Sequence, residues 1–120
     1  MEDRKLNQDF VPLLTIMSTD FEKDLDIVKR VLDDFEQRTH SENGFKLSDR
    51  AEMAAGWWFY DVLVSREFLQ NLFRILMPEG IGEDRKSASL KLVGAFQEQT
   101  SKLGSEARVK MHGDIPFAAP

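Results

Sequence analysis

Residues 54–64 read AAGWWFYDVLV, and the interpretation of this stretch decides the fold that the sequence predicts. Four aromatic side chains follow one another, and a carboxylate, Asp61, comes directly after them. From there to Met77 apolar residues recur every three or four positions, which is the spacing of one helix face. The sequence therefore predicts a single long central helix over about residues 49–77.

Ordinary helix signals stand at both ends of this segment. Ser48 is suited to cap the helix start, and Asp49 complements the helix dipole in the first turn. Pro78 and Gly80 stop the pattern. A helix of this length measures about 43 Å, whereas a compact domain of this size is roughly 35 Å across. The helix is therefore expected to kink, to protrude or to be covered by a second subunit.

On a helical wheel, the two halves of this segment differ in how their apolar residues are distributed. The second half is an amphipathic helix, but the first half is apolar on every side, which is typical of a helix buried all round. An apolar patch on the side opposite the core predicts an interface. Its members are Met53, Phe59, Tyr60 and Leu63. The cover could be the N-terminal segment, the C-terminal tail with Ile115 and Phe117, a second copy of the chain, or a different partner.

Asp61 falls on the core side of the same helical wheel, along with Trp57 and Trp58 and one turn before Ser65. A buried carboxylate needs hydrogen-bond partners or must be protonated. One interpretation is a structural polar residue that fixes the helix register. Another is a ligand-binding pocket formed by Trp57, Trp58, Asp61 and Ser65. In a third interpretation, Asp61 lies at an edge and is solvated.

The remaining segments are also interpreted as helical. Phe21, Leu25, Val28, Leu32 and Phe35 predict a helix over about 20–39 with an acidic outer face that includes Asp24. A further helix is predicted over 84–103. The segment VPLLTIM, residues 11–17, is either a short helix or extended.

The expected fold is all-α, an antiparallel bundle of three to four helices around the long central helix. The bundle domain is expected to span residues 1–104, and a partly extended C-terminal tail to span 105–120. The tail contains Gly113 and two prolines, which break regular structure.

Composition narrows the function classes. The formal net charge is −5, so a nucleic-acid partner is not expected. The chain has no cysteine, which excludes disulfides and thiolate chemistry and fits a cytoplasmic location. The longest strictly apolar run is far shorter than a membrane span of about 20 residues.

No motif specific to a reaction is present. Glu36 and His40 are spaced one helical turn apart, but a di-iron bundle would need further paired ligands, so no metal and no cofactor are expected. The pair His112 and Asp114 lacks a recognisable nucleophile. The sequence therefore favours a non-enzymatic function over an enzymatic one, without deciding between them.

Two functions are compatible with these patterns. The first is a small acidic protein–protein interaction module, a homodimeric regulator, inhibitor or accessory protein that binds itself and another protein. The second is a small-molecule-binding protein or enzyme with an aromatic pocket around Asp61.

Overall fold

The computed structural model describes residues 10–48, 51–80 and 85–113. This part of the chain forms a mixed α/β structure, so the predicted all-α helical bundle is wrong. In chain order the elements are β1 (Phe10–Ser18), α1 (Phe21–Thr39), β2 (Phe45–Leu47), β3 (Glu52–Ala54), β4 (Trp57–Ser65), α2 (Arg66–Leu76), α3 (Arg85–Lys102) and β5 (Arg108–Met111).

The strands form one antiparallel sheet in the order β2-β4-β1-β5. β3 also pairs with β4, next to residues 57–59, whereas β2 pairs with residues 62–64. The two short strands thus share one edge of β4. If they are counted as one interrupted strand, the order is that of the split-βαβ arrangement, which is compatible with many functions.

The three helices pack on one side of this sheet, here called the inner face. Leu14 and Ile16 of β1 and Val62 and Val64 of β4 are fully or almost fully buried there. Helices α1 and α3 meet through Phe35 and Phe96, whose ring centroids are 4.9 Å apart. The opposite side of the sheet is called the second face; no described helix packs on it.

The central segment was misassigned because its strand carries apolar residues on both faces. In β4 the side chains alternate between the two faces, and both sets are apolar except for Asp61 and Ser65. A helical wheel of such a strand is apolar on every side, so it cannot be distinguished from a buried helix by that test. Aromatic and β-branched residues are enriched in strands, and this composition was the stronger signal.

The turn before β4 confirms that the segment is a hairpin. Ala55 and Gly56 join β3 to β4 with φ angles of 53° and 84°. Two residues at positive φ form the turn type that matches the twist of antiparallel strands. The helix starts only at Ser65, whose hydroxyl accepts a hydrogen bond from the Phe68 N–H at 3.2 Å. Ser48, the predicted cap, instead extends the edge strand and accepts from the Asp61 N–H at 3.0 Å.

Other segments agree better with the sequence. The helix predicted over 20–39 is confirmed as α1, and the one predicted over 84–103 corresponds to α3. VPLLTIM is extended, as the second of its two interpretations had it, and forms most of β1. Within the predicted tail, residues 108–111 form β5 and pair with β1. Ile115 and Phe117 lie outside the described residues. None of the helices in the described part of the chain is long and apolar enough to cross a membrane.

Candidate functional site

The structure separates the residues predicted to form a pocket. Trp58 faces the inner side of the sheet, where its ring lies 5.2 Å from that of Phe21. Trp57 and Asp61 point to the second face, because β4 alternates, and Ser65 caps α2. Trp57, Trp58, Asp61 and Ser65 therefore do not line one common pocket.

The predicted interface residues are divided in the same way. Phe59 and Leu63 share the second face, and both are half-buried. Tyr60 points to the inner face and is only 4% exposed. Met53 is 59% exposed on the edge strand, where it pairs with Trp58. Of the four, only Phe59 and Leu63 lie on the same open surface.

A cleft of about 520 Å³ opens between α1 and the edge strand β2. Its walls are mainly apolar, and they carry Lys29 and Asp33 on the exposed side of α1. The lining residues are Phe21, Leu25, Lys29, Asp33, Phe45, Lys46, Leu47, Ser48, Ala51 and Tyr60. Size and lining are those of a small-molecule site, which is concave and apolar with few polar groups.

Tyr60 contributes an unusual polar atom to this wall. Its hydroxyl is buried and has no hydrogen-bond partner among the described residues. Buried hydroxyl groups are almost always paired, since an unpaired one costs about 1–3 kcal/mol. Tyr60 thus brings to the cleft wall a hydroxyl group whose donor and acceptor capacity no described residue satisfies.

The protonation state of Tyr60 follows from its surroundings. Burial, and secondarily the negative charge of Asp24, raise the pKa of the Tyr60 hydroxyl well above its ordinary value. The phenol therefore stays protonated at neutral pH and can donate a hydrogen bond. It is not suited to act as a base or a nucleophile there.

Asp24 is held in place by two serines. It is 1% exposed, and its carboxylate accepts hydrogen bonds from Ser18 at 2.6 Å and from Ser105 at 2.8 Å. The prediction that Asp24 lies on the outer face of α1 is thus wrong. Asp24 lies one helical turn after Phe21 and one turn before Val28, on the apolar face of the helix. The spacing alone could therefore have indicated that Asp24 is buried.

The second face carries a polar group at its centre. Thr15 donates to the Asp61 carboxylate at 2.9 Å, and His112 Nδ1 lies 3.4 Å from the same carboxylate oxygen. Thr15 Oγ1 and His112 Nδ1 are 3.3 Å apart. A catalytic triad needs the imidazole to bridge carboxylate and hydroxyl through opposite nitrogens. Here both partners meet Nδ1, so the arrangement does not have that geometry.

The charged side chains of the second face form further contacts. The Arg108 guanidinium lies 5.4 Å from the Trp57 ring centroid, and the Lys46 ammonium lies 5.1 Å from that of Phe10. The described residues hold no group of three or more histidine, aspartate or glutamate side chains that could bind a metal ion.

Sequence reasoning missed the cleft for a simple reason. Phe21 and Leu25 have the spacing of core residues on one helix face, and they line a cleft only because strand β2 lies beside them.

Comparison of this chain with known protein families, with curated proteins and with solved structures finds no match.

Proposed function

We propose that this protein binds a small molecule in the cleft between α1 and β2. The observation that carries the proposal is the buried Tyr60 hydroxyl, which has no described partner and belongs to a residue of the cleft wall. The ligand class is a compact molecule with an aromatic or branched apolar body and a hydrogen-bond acceptor such as a carbonyl oxygen. The apolar body matches Phe21, Leu25 and Leu47, and the acceptor matches Tyr60.

The exposed surface of α1 supports a charged protein partner less well. Its acidic residues Glu22, Asp26, Asp33, Asp34 and Glu36 are matched by four cations, Lys23, Lys29, Arg30 and Arg38. Two ion pairs form within the helix, Arg30 with Asp26 at 3.0 Å and Arg38 with Asp34 at 2.8 Å. The net charge of this helix face is therefore small, which gives a basic protein partner little electrostatic attraction.

The neutral dye Nile red tests the proposal, since it combines an aromatic body with a carbonyl acceptor. We expect saturable binding with a blue-shifted dye emission. Ala51→Trp adds an indole to the cleft wall and should abolish binding. Leu90→Trp is the matched control, because it places an indole at an exposed position of α3, where Leu90 is 66% exposed. Equal dye binding by both variants would refute the cleft as the site.

Tyr60→Phe tests the role of the hydroxyl. Loss of one hydrogen bond of about 1 kcal/mol should weaken dye affinity roughly fivefold. The free protein should not lose stability, because the removed hydroxyl has no described partner. Unchanged affinity in this variant would remove Tyr60 from the site, and loss of stability would show that the hydroxyl is satisfied in the free protein.

A further inference from the structure

In many antiparallel sheets one face packs on the core and the other is exposed to solvent, and the side chains on the exposed face are normally polar. The second face of this sheet departs from that pattern. Here it carries six large apolar side chains, of which all but Pro12 are half-buried. They are Phe10, Pro12, Met17, Trp57, Phe59 and Leu63. The polar row of Asp61, Thr15 and Lys110 divides them into two groups, with Phe10, Pro12 and Leu63 at one end of the face and Met17, Trp57 and Phe59 at the other. Large apolar side chains on an open sheet face favour an interaction site.

The strand register places complementary groups in one line across this face. Glu52 is paired with Phe59, Phe59 with Met17, and Met17 with Arg108. Directly paired residues share a face, so these four side chains form a single row across β3, β4, β1 and β5. The row runs from a carboxylate through two apolar groups to a guanidinium, and both charged ends are exposed.

We propose that the second face binds the second face of another copy of this chain. The twofold axis would run along the strands, midway between Phe59 and Met17. That rotation exchanges the two ends of the row, so Glu52 of each copy faces Arg108 of the other. The same rotation places Phe59 over Met17. An interface of this kind is self-complementary, as a twofold dimer requires.

The geometry of sheet packing tolerates this pairing. Neighbouring strands are about 4.8 Å apart, so Glu52 and Arg108 lie roughly 7 Å from the axis. Face-to-face sheets cross at about 30°, which displaces the row ends by about 4 Å along the strands. The long side chains of Glu52 and Arg108 can span that offset. Rim charges of this type fix the register of an interface.

The charges of this face also favour a second copy over a single-stranded nucleic acid. Trp57 and Phe59 could stack on bases, and Arg108 and Lys110 could contact phosphates. However, Glu52 and Asp61 lie among them on the same face, and they would repel a phosphate backbone. In the dimer these carboxylates face cations or hydroxyl groups.

Charge reversal gives a decisive test. We expect the wild type to be a dimer in light scattering and sedimentation. Glu52→Lys alone and Arg108→Glu alone each create two like-charge contacts, so each should weaken the dimer by at least about tenfold. A mixture of the two variants should form a heterodimer, because both contacts then join opposite charges. The double variant should dimerise again by itself.

Matched controls keep the result interpretable. Lys91→Glu and Glu98→Lys reverse exposed charges on α3 and should leave the mass unchanged. Circular dichroism checks that each variant is folded, and tryptophan emission should change on dilution of the wild type and of both controls, but much less for the two single variants of the row. A monomeric wild type, or single variants that dimerise like the wild type, would overturn the proposal. Failure of the mixed variants to form a heterodimer would overturn the proposed axis.

Discussion

Tyr60 is the single tyrosine of the chain, and its environment opposes ionisation. The unfolded chain releases the phenolic proton near pH 10, whereas the folded chain holds it to higher pH because the pKa is raised. The contribution of Tyr60 to the free energy of unfolding is therefore fully present below pH 10 and is lost as the pH rises beyond it. We predict a loss of up to about 1.4 kcal/mol of unfolding free energy per pH unit in that range.

The measurement is urea unfolding at several pH values from about 9 to 11, with Tyr60→Phe as the reference. The variant lacks this ionisation, so the difference between the two curves isolates Tyr60 from the lysines. Tyrosinate absorbance gives an independent readout. A folded protein whose absorbance titrates at the ordinary phenol pKa would contradict the burial argument.

Gly44 shows how closely one residue is packed. A Cβ atom at this position would lie 2.6 Å from Cβ and Cγ of Phe68, and the Gly44 amide donates to the Glu36 carboxylate at 2.7 Å. We predict that Gly44→Ala destabilises the protein by about 1–3 kcal/mol, because Phe68 is fully buried and cannot move away freely.

Gly94 is the matched control for that substitution. It lies exposed within α3, and a Cβ atom at this position would meet no other atom within 4 Å. Gly94→Ala should raise stability by about 0.5–1 kcal/mol, since alanine is the better helix former. Thermal or urea denaturation of the two variants should thus move in opposite directions. Similar shifts for both would indicate that contact with Phe68 is not the cause.

The turn between β3 and β4 does not carry the residue that best fits its backbone conformation. Ala55 adopts φ of 53°, a left-handed conformation that favours asparagine or glycine. We predict that Ala55→Asn raises stability by about 0.5–1 kcal/mol. Ala54→Asn, one residue earlier in β3, should give no gain, because asparagine is disfavoured in strands. Denaturation midpoints that rise equally for both variants would exclude the turn as the reason.

Helical spacing could be recognised in the sequence of α1 and α2 because each of these two helices presents one apolar face. Phe21, Val28 and Leu32 define α1 at helical spacing, and Phe68, Leu72 and Phe73 do the same for α2. Strand β4 could not be recognised by that criterion. One apolar face of β4 packs against the helices, and the other belongs to the second face of the sheet. The periodicity of the sequence does not show what each face contacts.

The candidate site was less accessible to prediction than the fold. The two walls of the cleft come from α1 and β2, whose lining residues are more than ten positions apart, and their approach depends on the sheet order. Phe59 and Leu63 do share one face, as predicted, although the helix on which they were placed is wrong, and their role in an interface stays a prediction. Residues four apart share one side of a helix and also one face of a strand, so that inference did not depend on the assignment.

The cleft and the second face lie on opposite sides of one sheet, and adjacent residues of β4 point to each. Trp58 lies beside Phe21 at the cleft, and Trp57 lies under Arg108 on the second face. Single-tryptophan variants therefore report on the two sides separately. Trp58 should respond to a ligand in the cleft, and Trp57 should respond to association of two chains.

Association also links stability to concentration, which gives a prediction for the entire chain. If unfolding separates two copies, mass action raises the melting temperature as the protein is concentrated, by about 2–5 °C per tenfold increase. The melting temperature of Glu52→Lys should be much less sensitive, because the weakened pair is largely dissociated before it unfolds. Calorimetry over a dilution series measures both. The mixture of Glu52→Lys and Arg108→Glu should regain the dependence, since both cross-axis pairs return. A wild-type melting temperature that does not change with concentration would show that the folded chain is stable without a second copy on its second face.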